Sequence, residues 1–97
     1  MPTYGRTGRF AKDYAALSSG EKKRFKGAVD KSVADLKAKR AFRKGLRVKG
    51  VKGAPGIFEM SWADDGRATF EYGEEQVEGE PHIVWRRVGT HEIFDGP

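Results

Sequence analysis

The apolar positions in the first half of the chain recur with the period of an α-helix. Phe10, Tyr14 and Leu17 are separated by four and then three residues, and Thr7 precedes them as a candidate N-cap. Side chains at these spacings lie on one face of a helix, which buries its apolar stripe against the rest of the fold. The pattern therefore predicts a short amphipathic helix over residues 8–17.

A second helix is predicted directly after the first one. Ser18 and Glu21 have the spacing of a capping box, in which a hydroxyl and a carboxylate satisfy free backbone N–H groups reciprocally. Apolar residues then recur every three or four positions over residues 20–40, while Lys and Arg occupy the outer face. A connection this short makes consecutive helices antiparallel neighbours, so we expect a helical hairpin.

In the second half of the chain the pattern changes to the two-residue alternation of β-strands. Phe58, Met60 and Trp62 alternate with polar residues and predict a strand over residues 57–62. Similar segments predict further strands over residues 46–51, 67–72 and 82–88. This order of elements predicts a single α+β domain spanning residues 1–97. We expect the N-terminal helical hairpin to pack on one face of a three- to four-stranded antiparallel sheet, whose other face stays open.

Charge divides the chain into a basic first part and an acidic second part. Residues 1–53 hold 16 Lys and Arg against 4 Asp and Glu, a net of +12, whereas residues 54–97 hold 3 against 10, a net of −7. Between Leu36 and Phe58 there are eight basic residues and no acidic one. Such a stripe binds phosphate by releasing condensed counterions, so it favours a nucleic-acid or nucleotide partner over a merely solvated helix face.

Composition and missing motifs exclude several classes of function. The chain has no Cys, which removes disulfides, thiolate zinc sites and iron–sulfur clusters. It has two His and no glycine motif for dinucleotides or for a P-loop, so we expect neither a metal nor another cofactor. No segment approaches the ~18 apolar residues of a membrane span, and the first residues lack a signal-peptide stretch. We therefore expect a cytoplasmic protein with no membrane partner.

Three residues are candidates for an acid–base pair and a phosphate-binding group on the open face of the sheet. His91 follows the last predicted strand, and histidine is a common proton donor or acceptor in catalysis. Arg67 begins a strand after an Asp-Gly turn, and a guanidinium binds phosphate in a bidentate manner. Glu59 points to the same face as Arg67 if the alternation holds. Each of the three has an ordinary alternative as an exposed polar side chain.

Five segments of the chain carry a resemblance to a known family. They are residues 10–17, 46–53, 56–62, 65–72 and 82–94. The strand that begins at Arg67 and ends at Tyr72 looks like a strand of that family, and the Gly-Thr-His stretch ending at His91 looks like its final catalytic turn. Together these segments resemble the RelE/ParE superfamily of bacterial toxin–antitoxin toxins, with its RelE-like microbial ribonuclease-type fold.

The resemblance implies a small cytoplasmic endoribonuclease that cuts mRNA, typically in the ribosomal A site, and that a cognate antitoxin protein neutralises. Arg67 lies where the family has its phosphate-binding Arg, and His91 where some members have His and others Arg. On the strand of Glu59 the ribosome-dependent members carry Lys instead. The implied mechanism is attack by the ribose 2′-OH, with Glu59 as base and His91 as acid. The residues expected to hold the RNA are Arg47, Lys49, Lys52, Arg86, Arg87 and Phe94.

Two alternatives remain open at the level of the sequence. A ParE-like toxin would inhibit DNA gyrase and cut no RNA. A non-catalytic homologue would bind nucleic acid with a steep salt dependence, and that binding would not depend on His91. The strand alternation also leaves open which of Arg86 and Arg87 faces the RNA.

Overall fold

Both predicted helices are present in the computed structural model, which describes residues 2–97. Helix α1 covers Gly8–Ala16 and helix α2 covers Ser19–Lys37. Thr7 caps α1, since its hydroxyl accepts a hydrogen bond from the backbone N–H of Phe10 at 3.1 Å. Ser18 and Glu21 make both bonds of the capping box at the start of α2, at 2.8 and 3.1 Å. The local cap signals in the sequence therefore fix where the two helices begin.

The sheet has five strands rather than three or four, and it is mixed rather than purely antiparallel. The strands are β1 Thr3–Arg6, β2 Lys49–Gly50, β3 Phe58–Ser61, β4 Gly66–Tyr72 and β5 His82–Thr90. Their spatial order is β1-β5-β4-β3-β2, with β1 parallel to β5 and every other pair antiparallel. The prediction missed β1 because this strand has four residues and pairs only with a strand at the other end of the chain.

The strand predicted over residues 46–51 is wrong for most of its length. Lys44–Leu46 forms a 3-10 turn in which Leu46 is buried, and Arg47 after it adopts the left-handed conformation with φ 48°. Only the two residues of β2 pair with β3. Leu46 is followed by an alternation of polar and apolar residues, which locally resembles a strand. In the structure, however, Leu46 belongs to the 3-10 turn and packs from there into the core.

Aromatic side chains of both helices pack on one face of the sheet. The ring centroid of Phe25 in α2 lies 5.5 Å from the ring centroid of Trp85 in β5. The ring centroid of Phe10 in α1 lies 6.3 Å from that of Trp85. Phe70 of β4 lies 5.4 Å from the same Trp85 ring. These near-perpendicular and tilted contacts build the core, which also contains Met60, buried completely.

The opposite face of the sheet is only partly open. Thr69 points to this face, yet it is completely buried, because the end of the chain crosses it. The hydroxyl of Thr69 donates to the main-chain oxygen of Pro97 at 3.3 Å, and Nε of Arg86 donates to the same oxygen at 3.0 Å. The expectation of a fully open face is therefore wrong, since residues 94–97 cover the part next to β5.

Strand β5 contains an irregularity that decides where its arginines point. Thr69 of β4 pairs with Arg87, whereas the next residue, Phe70, pairs with Trp85. Two residues of β5, Arg86 and Arg87, therefore occupy one step of the ladder, as in a β-bulge. This is why simple alternation could not assign the two arginines to opposite faces.

Candidate active site

A cleft of about 540 Å³ lies on the uncovered part of the sheet, next to β2 and the last turn of the chain. We call it the site cleft. Its lining residues are Arg47, Val48, Lys49, Val51, Lys52, Glu59, Ser61, Arg67, His91 and Phe94. The site cleft thus brings together seven of the nine residues that the sequence suggests for the site, from four separate segments of the chain.

Glu59 contributes the acidic group of the site cleft. It lies on β3 opposite Lys49 of β2 and Thr69 of β4. Its side chain is only 13% exposed, and its Oε1 lies 3.9 Å from Nζ of Lys49. The carboxylate is therefore held at the bottom of the cleft beside a cation, where it is able to accept a proton or a hydrogen bond from a ligand.

Arg67 is held in place by the turn that precedes it. Its Nη1 donates to the carbonyl oxygens of Ala63, Asp64 and Gly66 at 3.2, 3.1 and 2.9 Å. Among residues 2–97 no hydrogen-bond partner is recorded for its Nε or Nη2. These two nitrogens form one edge of the guanidinium, and this edge is suited to a bidentate contact with a phosphate. The turn therefore orients the guanidinium while leaving its phosphate-binding edge available.

His91 lies at the mouth of the site cleft. It is the first residue of a 3-10 turn, His91–Asp95, that follows β5 directly. Its side chain is 64% exposed, with Nδ1 4.0 Å from Oδ1 of Asp65, and its ring meets the ring of Phe94 edge-on at 5.0 Å. Phe94 and Asp65 thus flank an imidazole that remains accessible to a ligand in the cleft.

Three exposed cations line the site cleft, and we call them the basic rim. They are Arg47, Lys49 and Lys52. Arg47 is a non-glycine residue in the left-handed region, a conformation that costs free energy and is concentrated at functional sites. Lys49 is held by its pairing with β3, whereas Arg47 and Lys52 lie in the turns on either side of β2.

Asp35 fixes the segment that leads into the basic rim. This residue of α2 is 1% exposed and accepts hydrogen bonds from the backbone N, Nε and Nη2 of Arg43, and from Nε of Arg40. The bonds from Arg43 stabilise the ionised carboxylate and hold the pKa of Asp35 far below its usual range. The ion pair therefore attaches the loop after α2 to the helix itself.

Arg86 and Arg87, which the sequence suggests as RNA-binding residues, do not line the site cleft. Arg87 donates to both carboxylate oxygens of Asp13 in α1 and to the carbonyl of Gly96. Arg86 donates to Pro97 and, at 3.3 Å, to Glu71. Both guanidiniums are thus engaged within the chain, and a contact of either with RNA stays a prediction.

Two features of the site have no role assigned to them from the residue pattern. Ser61 pairs with Arg67 across β3 and β4 and lines the site cleft beside it. The carbonyl oxygens that hold Arg67 belong to the backbone of the turn at residues 63–66, so no side chain could have signalled them. The strand alternation does predict that Ser61 shares a face with Glu59 and Arg67, but its residue type indicated no role in the chemistry.

The part of the chain from Pro2 to Pro97 has no group of three or more His, Asp or Glu side chains arranged to hold a metal ion. Over the same residues, neither helix has the length and the apolar content that crossing a membrane requires.

Several solved structures have the same fold as this chain. A chain of the E. coli DinJ–YafQ toxin–antitoxin complex matches with a TM-score of 0.64 at 14% identity, covering 98% of this chain and 98% of that chain. The RelB–RelE antitoxin–toxin complex from Methanococcus jannaschii contains a match with a TM-score of 0.62 at 21% identity, covering 96% and 99%. The YoeB/ParE toxin from Agrobacterium tumefaciens matches with a TM-score of 0.65 at 12% identity, covering 92% and 98%.

At these identities the similarity shows the fold, and the chain has the fold of RelE/ParE-type toxins. No protein-family model and no curated protein sequence matches the chain.

Proposed function

We propose that this chain is the toxin of a type II toxin–antitoxin system of the RelE/ParE superfamily, and that it is an endoribonuclease which cleaves mRNA. The observation that carries the proposal is the site cleft, in which Glu59, Arg67 and His91 line one cavity below the basic rim. A carboxylate, an oriented guanidinium and an accessible imidazole are the groups that RNA cleavage by proton transfer requires. The similarity of fold to YafQ, RelE and YoeB/ParE toxins supports the same function.

The nucleophile in the proposed reaction is the ribose 2′-OH of the RNA. Glu59 accepts the proton of this hydroxyl, and the oxygen attacks the adjacent phosphorus. The bond from phosphorus to the 5′-oxygen of the next nucleotide breaks, and His91 donates a proton to that leaving oxygen. The products are a 2′,3′-cyclic phosphate and a free 5′-hydroxyl, so neither a protein nucleophile nor a water molecule is consumed.

Arg67 stabilises the charge that develops on the non-bridging phosphate oxygens. Because its Nη1 is already bonded to the turn, Nε and Nη2 face a phosphate without first having to be ordered. The cations of the basic rim bind the neighbouring phosphates of the backbone. Phe94 lies beside His91, where its ring is able to stack on a base.

The test compares growth arrest and mRNA cleavage in cells that express the wild type, Arg67→Ala or His91→Ala under tight repression. We expect both variants to lose toxicity, with cleavage by the purified proteins lowered by ~10²–10³-fold for Arg67→Ala and ~10²–10⁴-fold for His91→Ala. Lys12→Ala is the control, because Lys12 is exposed on α1 and does not line the cleft. Unchanged toxicity in both site variants would overturn the assignment.

Primer extension on cellular mRNA and a gyrase supercoiling assay separate this proposal from a gyrase inhibitor. We expect discrete mRNA ends that depend on His91 and no inhibition of supercoiling. Comparing naked mRNA with mRNA on purified ribosomes then measures whether cleavage depends on the ribosome. Inhibition of gyrase without any cleavage of either RNA would assign the protein to the other class.

The proposed partner in the cell is a cognate antitoxin protein, and both proteins act in the cytoplasm. Two of the similar structures are complexes of a toxin with an antitoxin, DinJ–YafQ and RelB–RelE. The basic rim and the net charge of +12 over residues 1–53 suit an acidic partner that blocks the cleft and compensates charge. We expect the product of the adjacent gene to co-purify with this chain and to restore growth. High expression of the chain alone without any effect on growth would contradict both proposals.

A further inference from the structure

A second cavity, of about 580 Å³, opens beside the site cleft. We call it the side groove. It lies between α2, the 3-10 turn that ends at Leu46 and the turn joining β3 to β4. Arg47, Ser61 and Arg67 line both cavities, so the two are continuous at the residue that the proposed mechanism assigns to the scissile phosphate.

The side groove has an apolar floor and walls without side chains. Ala28 and Leu46 are buried there, and the indole of Trp62 lies beside them. Gly27 of α2 and Gly45 of the turn form the walls, and a Cβ built on either would meet no atom within 4 Å. An apolar floor, open sides and a volume of this size suit a ligand with a flat ring.

The entrance of the side groove is positively charged. Arg24 and Lys31 of α2 are exposed at its edge, and no salt bridge is recorded for either within residues 2–97. Arg43 also lines the groove, but Asp35 compensates its charge. Asp64 is the acidic side chain on the lining. Glu21 is the acidic group that interacts with Arg24. Two exposed cations without a salt bridge therefore lie at the edge of an apolar floor, which is the combination that a nucleotide, with its base and its phosphate, requires.

We propose that the side groove binds the nucleotide that adjoins the cleaved dinucleotide, outside the two nucleotides that flank the cleaved bond, with its base on the floor and its phosphate at Arg24 and Lys31. This inference rests on the proposed function, because the RNA would enter the groove past Arg67. Single-stranded RNA is the occupant that the observations favour over an acidic peptide, since a peptide carboxylate would use the cations but not the apolar floor.

The test uses Gly27→Gln, which places a side chain in the groove. Gly27 lies in the middle of α2 in helical conformation with open space around it, so the substitution favours the helix and leaves the fold intact. Gly8→Gln is the matched control, because Gly8 is also helical and open but lines neither cavity. The substrates are a dinucleotide with one cleavable bond and a single-stranded RNA of about ten nucleotides.

We expect Gly27→Gln to lower kcat/KM for the longer RNA by roughly 5- to 100-fold, the loss of one stacked base, and to leave the dinucleotide unaffected. For the longer RNA, the logarithm of the binding constant falls linearly with the logarithm of the salt concentration. Lys31→Gln and Arg24→Gln should each reduce the magnitude of this slope by about one, again without effect on the dinucleotide. If Gly27→Gln and Gly8→Gln cleave and bind the longer RNA equally, the inference is wrong.

A binding measurement keeps this result separate from the failure of the proposed function. Fluorescence anisotropy with a longer RNA carrying a 2′-deoxyribose at the cleavage position needs no catalysis. If the wild type cleaves no RNA, yet Gly27→Gln still weakens anisotropy-detected binding, the catalytic proposal fails and the groove proposal stands. If Gly27→Gln weakens binding of a polyglutamate peptide but not of this RNA, the groove belongs to a protein partner and the inference is overturned.

Discussion

Asp13 of α1 and Arg87 of β5, which are 74 residues apart in the chain, form a two-pronged ion pair. Nε of Arg87 lies 2.6 Å from Oδ2 of Asp13, and Nη2 lies 3.2 Å from Oδ1. The backbone N–H of Val88 donates to the same carboxylate at 3.2 Å. Both side chains are less than one fifth exposed, so this pair fastens the first helix to the sheet.

Arg87→Ala should therefore lower stability and not catalysis. Removing one partner of a largely buried pair leaves the other charge uncompensated, so we expect a loss of about 3 kcal/mol in the free energy of unfolding, measured by urea denaturation. The rate of RNA cleavage per folded molecule, at a temperature well below the melting point, should match that of the wild type. If Arg87→Ala instead lowered the affinity for RNA at unchanged stability, Arg87 would be an RNA-binding residue, as the sequence predicts.

Arg67→Lys keeps the charge of the site and loses the geometry of the guanidinium. One ammonium is unable to bond the three carbonyls of the turn and also to present two parallel donors to a phosphate. We expect single-turnover cleavage to fall nearly as far as in Arg67→Ala, with binding of RNA largely retained because the charge remains. Cleavage by Arg67→Lys close to that of the wild type would show that charge alone suffices.

Arg47→Gly and Arg47→Ala should have the same activity and different stability. The left-handed backbone at Arg47 suits glycine and strains alanine, because alanine carries a Cβ. We expect Arg47→Gly to be about 1 kcal/mol more stable than Arg47→Ala in urea denaturation. Both variants lose the same cation and should show equally reduced RNA affinity. Equal stabilities would mean that the turn relaxes out of the left-handed region when the arginine is removed.

Asp35 should make the stability of the protein depend on pH in the acidic range. The pKa of Asp35 is lower in the folded chain than in the unfolded chain, where an aspartate titrates near 3.9. At pH values around and below this unfolded-state pKa, the unfolded state therefore binds more protons than the folded state. The stabilisation is present above about pH 5 and is lost as pH falls from there. Asp35→Asn should have a lower free energy of unfolding at pH 7. Below pH 5 its free energy of unfolding should depend less on pH than that of the wild type. Asp30→Asn, at an exposed position of the same helix, is the control and should behave like the wild type.

The sequence predicted the helices well because their signals are local. The hydroxyl of Thr7 and the capping box of Ser18 and Glu21 act within three residues, and the structure contains all of these bonds. The strand of Thr3 to Arg6 has no comparable local signal, since its hydrogen bonds come from β5, whose residues lie far along the chain. Periodicity along the chain therefore does not predict its parallel pairing.

The same distinction separates the site residues that the sequence could locate from those it could not. Glu59 and Arg67 lie on adjacent strands, so alternation and a short hairpin suffice to put them on one face. The covered half of that face depends on Pro97 reaching Thr69, and the side groove depends on α2 passing over the turn at residues 63–66. Both are products of tertiary packing, which the residue pattern does not encode.

The additional residue in β5 has a consequence for the orientation of everything that follows it. With strict alternation after Trp85, Arg87 would point into the core and Val88 away from it, because a shift by one residue exchanges the two faces of a strand. The bulge instead returns Val88 to the core, opposite Ala68. His91 emerges three residues later, so its position at the mouth of the site cleft depends on a single inserted backbone unit. The shifted alternation of β5, rather than the identity of any side chain, thus determines on which side of the sheet His91, the acid of the proposed reaction, lies.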